Sequence, residues 1–175
     1  MITESQYNIL NQSDKSIPKF SFKNKVIFGK VVKVYDGDTC QINTYINTQI
    51  HRFNVRLDGY DSPELKSTNL IEESYAKVSK KVLSELIMDK IVLLKCSDFD
   101  KYGRILGRIY INNTSNNELL EVNEYMIQSK LGYPYHGENK EMFNPDNFSD
   151  QHICMINVSN VNLEQFSDFI KNNDL

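Results

Sequence analysis

A chain of 175 residues, 40% apolar and 25% charged, has the composition of one globular domain with a sizeable core, not of a low-complexity or fibrous protein. No apolar run approaches the roughly 18 residues of a membrane helix, and the start, MITESQYNIL, lacks the basic and then apolar pattern of a signal peptide, so an intracellular protein without membrane association is expected. The net charge of -3 conceals a basic middle, +5 over residues 19–108, followed by an acidic stretch, -7 over 109–175. Such local fields can attract a polyanion to one part of a molecule whose overall charge is negative.

In chain order, residues 1–18 are polar, end in Ile17-Pro18 and read as a loose, flexible arm. Order is expected from residue 19 onward. KVIFGKVVKVY, from Lys25 to Tyr35, is β-branched with partial alternation, and QINTYI and HRFNVRLDGY follow across an Asn47-Thr48 turn, which predicts an antiparallel meander. Asn69 followed by Glu72 marks a helix start of the capping-box type, and Ile71, Tyr75, Val78, Val82 and Leu86 then recur at helical spacing as the expected core stripe. KIVLLKCS (90–97) and RILGRIYI (104–111) read as buried strands, and NNTSNN (112–117) as a loop. A second helix over residues 121–129 presents Val122, Tyr125 and Met126 inward, with Asn123 as a buried hydrogen-bonding residue, and is ended by Gly132 and Pro134. Residues 136–160 are mixed, and 161–172 read as a short amphipathic helix through Leu163, Phe166, Phe169 and Ile170. Cys40, Cys96 and Cys154 form no C-x-x-C pair and read as reduced thiols.

This order predicts a β-rich α+β fold: a five-stranded Greek-key barrel of the OB type with two or three helices packed on it. Residues 19–135 would form that domain, and 136–175 an acidic extension packed on the same domain.

Asp36-Gly37-Asp38-Thr39, taken alone, is a tight hairpin turn. Closure of a meander, however, would carry Asp38 to the same rim as Arg56, Asp61 and Glu64 in RLDGYDSPE and Arg104 in DKYGR. Asp38 and Asp61 with a backbone carbonyl are hard oxygen ligands for Ca²⁺ or Mg²⁺. Glu64 could take a proton from a water, and two planar guanidiniums suit a phosphate whose charge grows as water adds. Arg56 and Glu64 as an ordinary surface ion pair is the competing reading. His51, His136 and His152 have no ligand spacing and fall outside these motifs.

DGDT, R-x4-D-S-P-E and DKYGR, in that order, resemble the staphylococcal nuclease (thermonuclease) family over roughly residues 25–135. The resemblance implies an OB-fold nuclease, dependent on Ca²⁺ with Mg²⁺ or Mn²⁺ as alternatives, that cuts DNA or RNA by water attack and leaves 3′-phosphate ends. It makes Asp38 and Asp61 metal ligands, completed by the carbonyl of Ser62 where the family usually has Thr. Glu64 becomes the general base, and Arg56 and Arg104 the phosphate-binding arginines. Lys101 and Tyr102 match groups at the terminal phosphate and base. Tyr133 and Tyr135 resemble the family's tyrosine pair at the nucleotide pocket, although they lie closer to Val122-Asn123-Glu124 than the pattern would place them. Single-stranded or locally melted nucleic acid is the implied partner, and a monomer the expected state. The family's long basic third helix and its tryptophan have no counterpart here. A non-catalytic nucleic-acid-binding or scaffold domain of the same fold is the alternative.

Overall fold

The computed structural model describes residues 2–137, 143–148 and 156–173. Strands β1 (Val26–Val34), β2 (Thr39–Ile46) and β3 (Gln49–Leu57) form the antiparallel meander. Asn47 and Thr48, at φ 47° and 69°, make the two-residue turn between β2 and β3, where both central residues need positive φ. Strand β5 (Ile91–Phe99) pairs with β1 and with β6 (Ile105–Asn113), and β6 returns to lie parallel to β3, Val55 beside Ile105 and Arg56 beside Leu106. That parallel contact closes a five-stranded barrel in the order β1-β2-β3-β6-β5, the OB arrangement. Its interior is filled by the inward-facing alternate residues, including Val31, Ile42, Val55, Leu57, Leu94, Ile105 and Ile109. Cys40 and Cys96 are buried free thiols within this core, while Cys154 lies outside the described residues.

Helix α2 (Leu70–Ile87) begins where expected, with the Asn69 side chain accepting from the backbone of Ile71 and Glu72. The box is not reciprocal. Glu72 instead accepts from the Glu64 amide and the Ser67 hydroxyl, which ties the loop after Asp61 to the helix. The core stripe also differs from expectation. Val82 and Leu86 are buried, but Ile71 and Val78 are 55% and 39% exposed, and Ala76, Ser79 and Leu83 take the inner face. Small residues are needed there because the Gly37 turn and the Tyr60 ring approach that face closely, with Tyr60 Oη 3.1 Å from Ser79 Oγ.

Further departures concern local structure. The segment read as a loose arm contains helix α1 (Glu4–Gln12), closed by a reciprocal Thr3–Gln6 capping box but burying no residue. The segment read as a loop at 112–117 is the end of β6 plus a turn, with Asn117 at φ 57°, leading into β7 (Glu118–Glu121), which pairs back on β6. Helix α3 (Val122–Gln128) buries Val122 and Met126. Asn123 is also buried: its Oδ1 accepts from Ile109 N–H, and its amide donates to the carbonyls of Asp58 and Gly107.

Two short pairs bear on the site and on the C-terminal region. Strand β4 (Tyr60–Asp61) pairs with β8 (Tyr133–Pro134), and β9 (Val158–Ser159) pairs with β6. Helix α4 (Leu163–Asn172) lies on the outer face of β1 and β6, Phe166 against Phe28 and Phe169 against Tyr110 at ring separations of 4.6 and 4.7 Å. Leu163, expected in its apolar face, is 78% exposed because it stands in the first turn, ahead of these contacts. Among the described residues no helix is long and apolar enough to cross a membrane.

Candidate active site

The turn between β1 and β2 is built from Asp36. Its carboxylate accepts from the amide of Asp38 at 3.1 Å, and Tyr35 N–H donates to the Thr39 carbonyl across the loop. The Asp38 carbonyl in turn accepts from Leu57 N–H at 2.8 Å, so the turn is anchored to the end of β3. Gly37 does not act here through a left-handed backbone, since its φ is not positive. It is required for space: a Cβ would stand 2.3 Å from Ser79 Oγ and 2.7 Å from Ser62 Cβ. A residue expected to reverse the chain instead allows the turn, α2 and the loop after Asp61 to meet.

That close approach brings two carboxylates together. Asp38 and Asp61 are each 4% exposed, and Arg56 bridges them, Nη1 at 2.9 Å from Asp38 Oδ1 and Nη2 at 2.5 Å from Asp61 Oδ1. Thr39 Oγ donates to Asp38 Oδ1 at 2.7 Å, and Ser62 donates through both its amide and its hydroxyl to Asp38 Oδ2. Burial pushes the Asp38 carboxyl up to about 7, against the opposing pull of the Arg56 guanidinium, and the neighbouring Asp36 adds to the rise. Burial also opposes the charge on Arg56, but Asp38 and Asp61 more than offset it and leave the guanidinium more firmly protonated.

Two carboxylates thus share one guanidinium in a desolvated place. Its donor set is entirely oxygen, the chemistry of a Ca²⁺ or Mg²⁺ site. Among the described residues no group of three His, Cys, Asp or Glu side chains forms a complete cage. A cation would have to be held by the two carboxylates, a backbone carbonyl such as that of Ser62, and water. The residues fit such an ion.

Sequence reasoning missed one participant in this role. Tyr133 Oη donates to Asp61 Oδ2 at 2.6 Å, placed there by the β4–β8 pairing of Asp61 with Tyr133. Burial, and then the hydrogen bond to a carboxylate, raise its hydroxyl above the ordinary phenol range. Gly132 makes this pairing possible, because a Cβ there would stand 2.2 Å from the Tyr60 ring and 2.3 Å from the Asp61 carbonyl. Tyr133 is thus a partner of a candidate ligand, whereas the expectation was a substrate contact. The Phe148 ring lies edge-on to it at 6.3 Å. The spacing in GYPYHG marks a tyrosine pair, but nothing local to it reveals which carboxylate the hydroxyl reaches.

The other expected residues surround this centre. Tyr135 is pinned by its amide to the Gly59 carbonyl and sets its ring 5.8 Å from the Arg56 guanidinium. Glu64 is exposed, three residues beyond Asp61, and close enough to Tyr133 to contribute to the rise of its hydroxyl. Arg104 immediately precedes β6. Its Nε lies 2.6 Å from Asp100 Oδ2, and its amide donates to Asp100 Oδ1 at 2.9 Å. The parallel register puts Leu106 beside Arg56, so alternation sends the Arg104 and Arg56 side chains to the same outer side of the β3–β6 pair. Tyr102, 73% exposed, holds its ring near both Lys101 and Arg104, at 5.1 and 5.4 Å. Direct contact thus joins Asp38, Asp61, Arg56, Ser62 and Tyr133. Arg104 with Lys101 and Tyr102 forms a second group around Asp100, and Glu64 stands at the open edge. His136 approaches Gly59, His51 packs near Phe53, and His152 falls outside the described residues.

A closed OB-type barrel with paired carboxylates and arginines at its rim defines the class of protein. Residues 54–148 match the family model described as staphylococcal nuclease homologue, and the chain belongs to that family. It is 27% identical over 161 residues to a probable endonuclease, LCL3, of Komagataella phaffii, covering 81% of this chain and 69% of that protein. It is 30% identical over 120 residues to an uncharacterized endonuclease of Escherichia coli, covering 69% and 65% of the two chains. A micrococcal nuclease of Shigella flexneri is 29% identical over 110 residues, 61% of this chain and 58% of that one.

Proposed function

We propose that the protein is a cation-dependent nuclease that hydrolyses phosphodiester bonds of DNA or RNA by direct attack of water and leaves 3′-phosphate ends. The observation that carries this reading is the bridging of two buried, oxygen-rich carboxylates by one arginine at the rim of the barrel. Asp38, Asp61 and the Ser62 carbonyl would hold the cation, with Ca²⁺ favoured and Mg²⁺ or Mn²⁺ as alternatives. Such an ion supplies Lewis acidity toward a phosphate oxygen.

The remaining steps belong to the chain's own side chains. Glu64, exposed beside this centre, would accept a proton from the attacking water, a contribution of about 10²- to 10⁴-fold for a positioned base. Arg56 can exchange part of its contact with Asp38 and Asp61 for a phosphate oxygen, and Arg104 reaches the phosphate from the same face of the sheet. Planar guanidiniums grip the developing negative charge through paired N–H groups that an ammonium lacks. Asp100 fixes the Arg104 side chain, Tyr102 and Lys101 beside it would contact the substrate, and the Tyr135 ring flanks Arg56.

The test is cleavage of a defined single-stranded oligonucleotide by purified protein, with a cation series against chelator. Cleavage that stops in EDTA and falls by about two orders of magnitude or more in Glu64→Gln supports the reading. Salt-sensitive binding without new ends in any cation would instead make the chain a binding or scaffold domain.

A further inference from the structure

We propose that residues 143–148, in the acidic C-terminal region, form a strap whose Phe148 holds Tyr133 on Asp61 and thereby restrains cation binding at the centre. Phe148 is then a positioning residue, acting through the Tyr133 hydroxyl. The inference rests on the nuclease reading in taking Asp61 as a cation ligand, but the strap itself is built from other residues.

The strap reads FNPDNF. Pro145 opens a single 3₁₀ turn, Pro145–Asn147, with a preset φ. The Asn144 side chain caps it by accepting from Asp146 N–H at 3.0 Å, and the Phe148 amide donates back to the Pro145 carbonyl. This turn brings the two ends of the strap together, so that Phe143 and Phe148 stack at 5.0 Å. Both rings then meet Tyr75 of α2, at 5.9 and 5.4 Å. The four residues between the phenylalanines are exposed, whereas Phe148 is only 7% exposed. Phe148 and Tyr75 belong to an aromatic cluster of their own, apart from the apolar core of the barrel.

That cluster packs on the residue that binds the candidate ligand. Phe148 meets the Tyr133 ring edge-on at 6.3 Å. The β4–β8 pairing fixes only the Tyr133 backbone opposite Asp61, and the side-chain torsions are set by what packs on the ring. Tyr75 follows Glu72 by three residues on α2, and the Glu72 carboxylate accepts from the Glu64 amide and the Ser67 hydroxyl. The strap, α2 and the Glu64 loop therefore meet on one side of the centre. With the ring held, the Tyr133 hydroxyl stays on Asp61 Oδ2 while Arg56 stays on Oδ1, so donors engage both oxygens of the expected ligand. A donor and a cation draw on the same lone pairs. Tyr133 is the neutral donor of the two, and a bond between two ionised groups is the harder to exchange. The tyrosine hydroxyl is thus the donor that a cation displaces, and the strap opposes its release.

The experiment uses the full chain and two measurements. Chemical denaturation in EDTA compares wild type, Phe148→Ala, Tyr133→Phe and the double variant. If Phe148 holds the hydroxyl on Asp61, the two losses are not additive, and the drop in midpoint caused by Tyr133→Phe shrinks by about half or more once Phe148→Ala is present. Isothermal titration with Ca²⁺, and with Mn²⁺, should then show tighter binding, by about threefold or more in Phe148→Ala and about tenfold or more in Tyr133→Phe. Phe148→Ala added to Tyr133→Phe should bring no further gain. Damage to packing alone would weaken cation binding, not tighten it. Phe143→Ala, a half-buried change at the other end of the strap, should act in the same direction and serves where Phe148→Ala folds poorly. Phe166→Ala, which removes an aromatic contact of α4 with β1, should leave cation affinity unchanged. Additive losses in EDTA, cation affinity in the strap variants equal to or below that of wild type, or an equal gain in Phe166→Ala each overturn the restraint and leave the nuclease reading to its own cleavage test. Coupled losses in EDTA with no binding of either cation in any variant would overturn the assignment of Asp61 as a cation ligand, and the restraint with it.

Discussion

Tyr133 donates its hydroxyl to Asp61 at 2.6 Å, across 72 positions of sequence, and so occupies one oxygen of a carboxylate that also holds Arg56. The bond is sustained by the β4–β8 pairing and by the absence of a side chain at Gly132. Tyr133→Phe is expected to lower the stability of the metal-free protein by about 1.5–3 kcal/mol, as for loss of a hydrogen bond to a charged group. Added Ca²⁺ should shrink that deficit, because the cation can take the vacated oxygen. Chemical denaturation of both proteins with and without Ca²⁺ checks this. An equal deficit in the two conditions would show that Asp61 and the cation are not linked through that oxygen.

Asp38 is buried and shares one guanidinium with Asp61, so a divalent cation should stabilise the folded state by binding there. Asp38→Asn and Asp61→Asn should each remove most of the Ca²⁺-dependent rise in thermal midpoint, which for a single site at 100 times its dissociation constant is worth about 2.7 kcal/mol. Differential scanning calorimetry across a Ca²⁺ series measures it. A rise of wild-type size in both variants would place the cation elsewhere.

Gly37 is held to glycine by contact and not by backbone conformation. Gly37→Ala should therefore destabilise by about 1–3 kcal/mol, the cost of overpacking a filled site. Removing the nearest atom in Gly37→Ala/Ser79→Ala should recover only part of the loss, because Ser62 Cβ would still stand 2.7 Å from the new methyl. Full recovery of the denaturation midpoint in the double variant would contradict the packing argument.

Asp100 gives the pH dependence. Burial works against its charge, but the Arg104 amide and guanidinium and the Tyr102 amide over-compensate and hold its carboxyl below the ordinary range. A carboxyl depressed on folding contributes stability that is present above its unfolded value, about 3.9, and is lost as the pH falls through the folded value. Wild type should exceed Asp100→Asn in stability at pH 7, and the gap should close progressively below about pH 4. Thermal midpoints of the two proteins from pH 7 down to the acid limit of folding provide the comparison. A gap that widens on acidification would reverse the sign and refute the assignment.

Much of this molecule was legible because its strand pattern and turn chemistry agree. The meander, the Asn47-Thr48 turn and the order of the barrel strands follow from alternation and punctuation, and DGDT, RLDGYDSPE and DKYGR lie at the ends of those strands. What escaped was decided by tertiary approach. Periodicity alone placed Ile71 and Val78 in the core, but the Gly37 turn and the Tyr60 ring set which face of α2 is inward, and they select Ala76 and Ser79. Asp100 stands four residues before Arg104 in DKYGR, but their pairing depends on the turn that folds the arginine back on the carboxylate. The Tyr133–Asp61 bond depends on a two-residue sheet pairing, too short for periodicity to mark. Helix α1 rests on a Thr3–Gln6 box without an apolar face, so a search for core-facing stripes passes over it.

The most direct test of the account is mass spectrometry of the products formed from a single-stranded oligonucleotide in heavy-oxygen water, with Ca²⁺ and with EDTA. Products are expected only with the cation, ending in a 3′-phosphate that carries one labelled oxygen, with an unlabelled 5′-hydroxyl on the partner fragment. Label in a 5′-phosphate, or undiminished cleavage in EDTA, would contradict it.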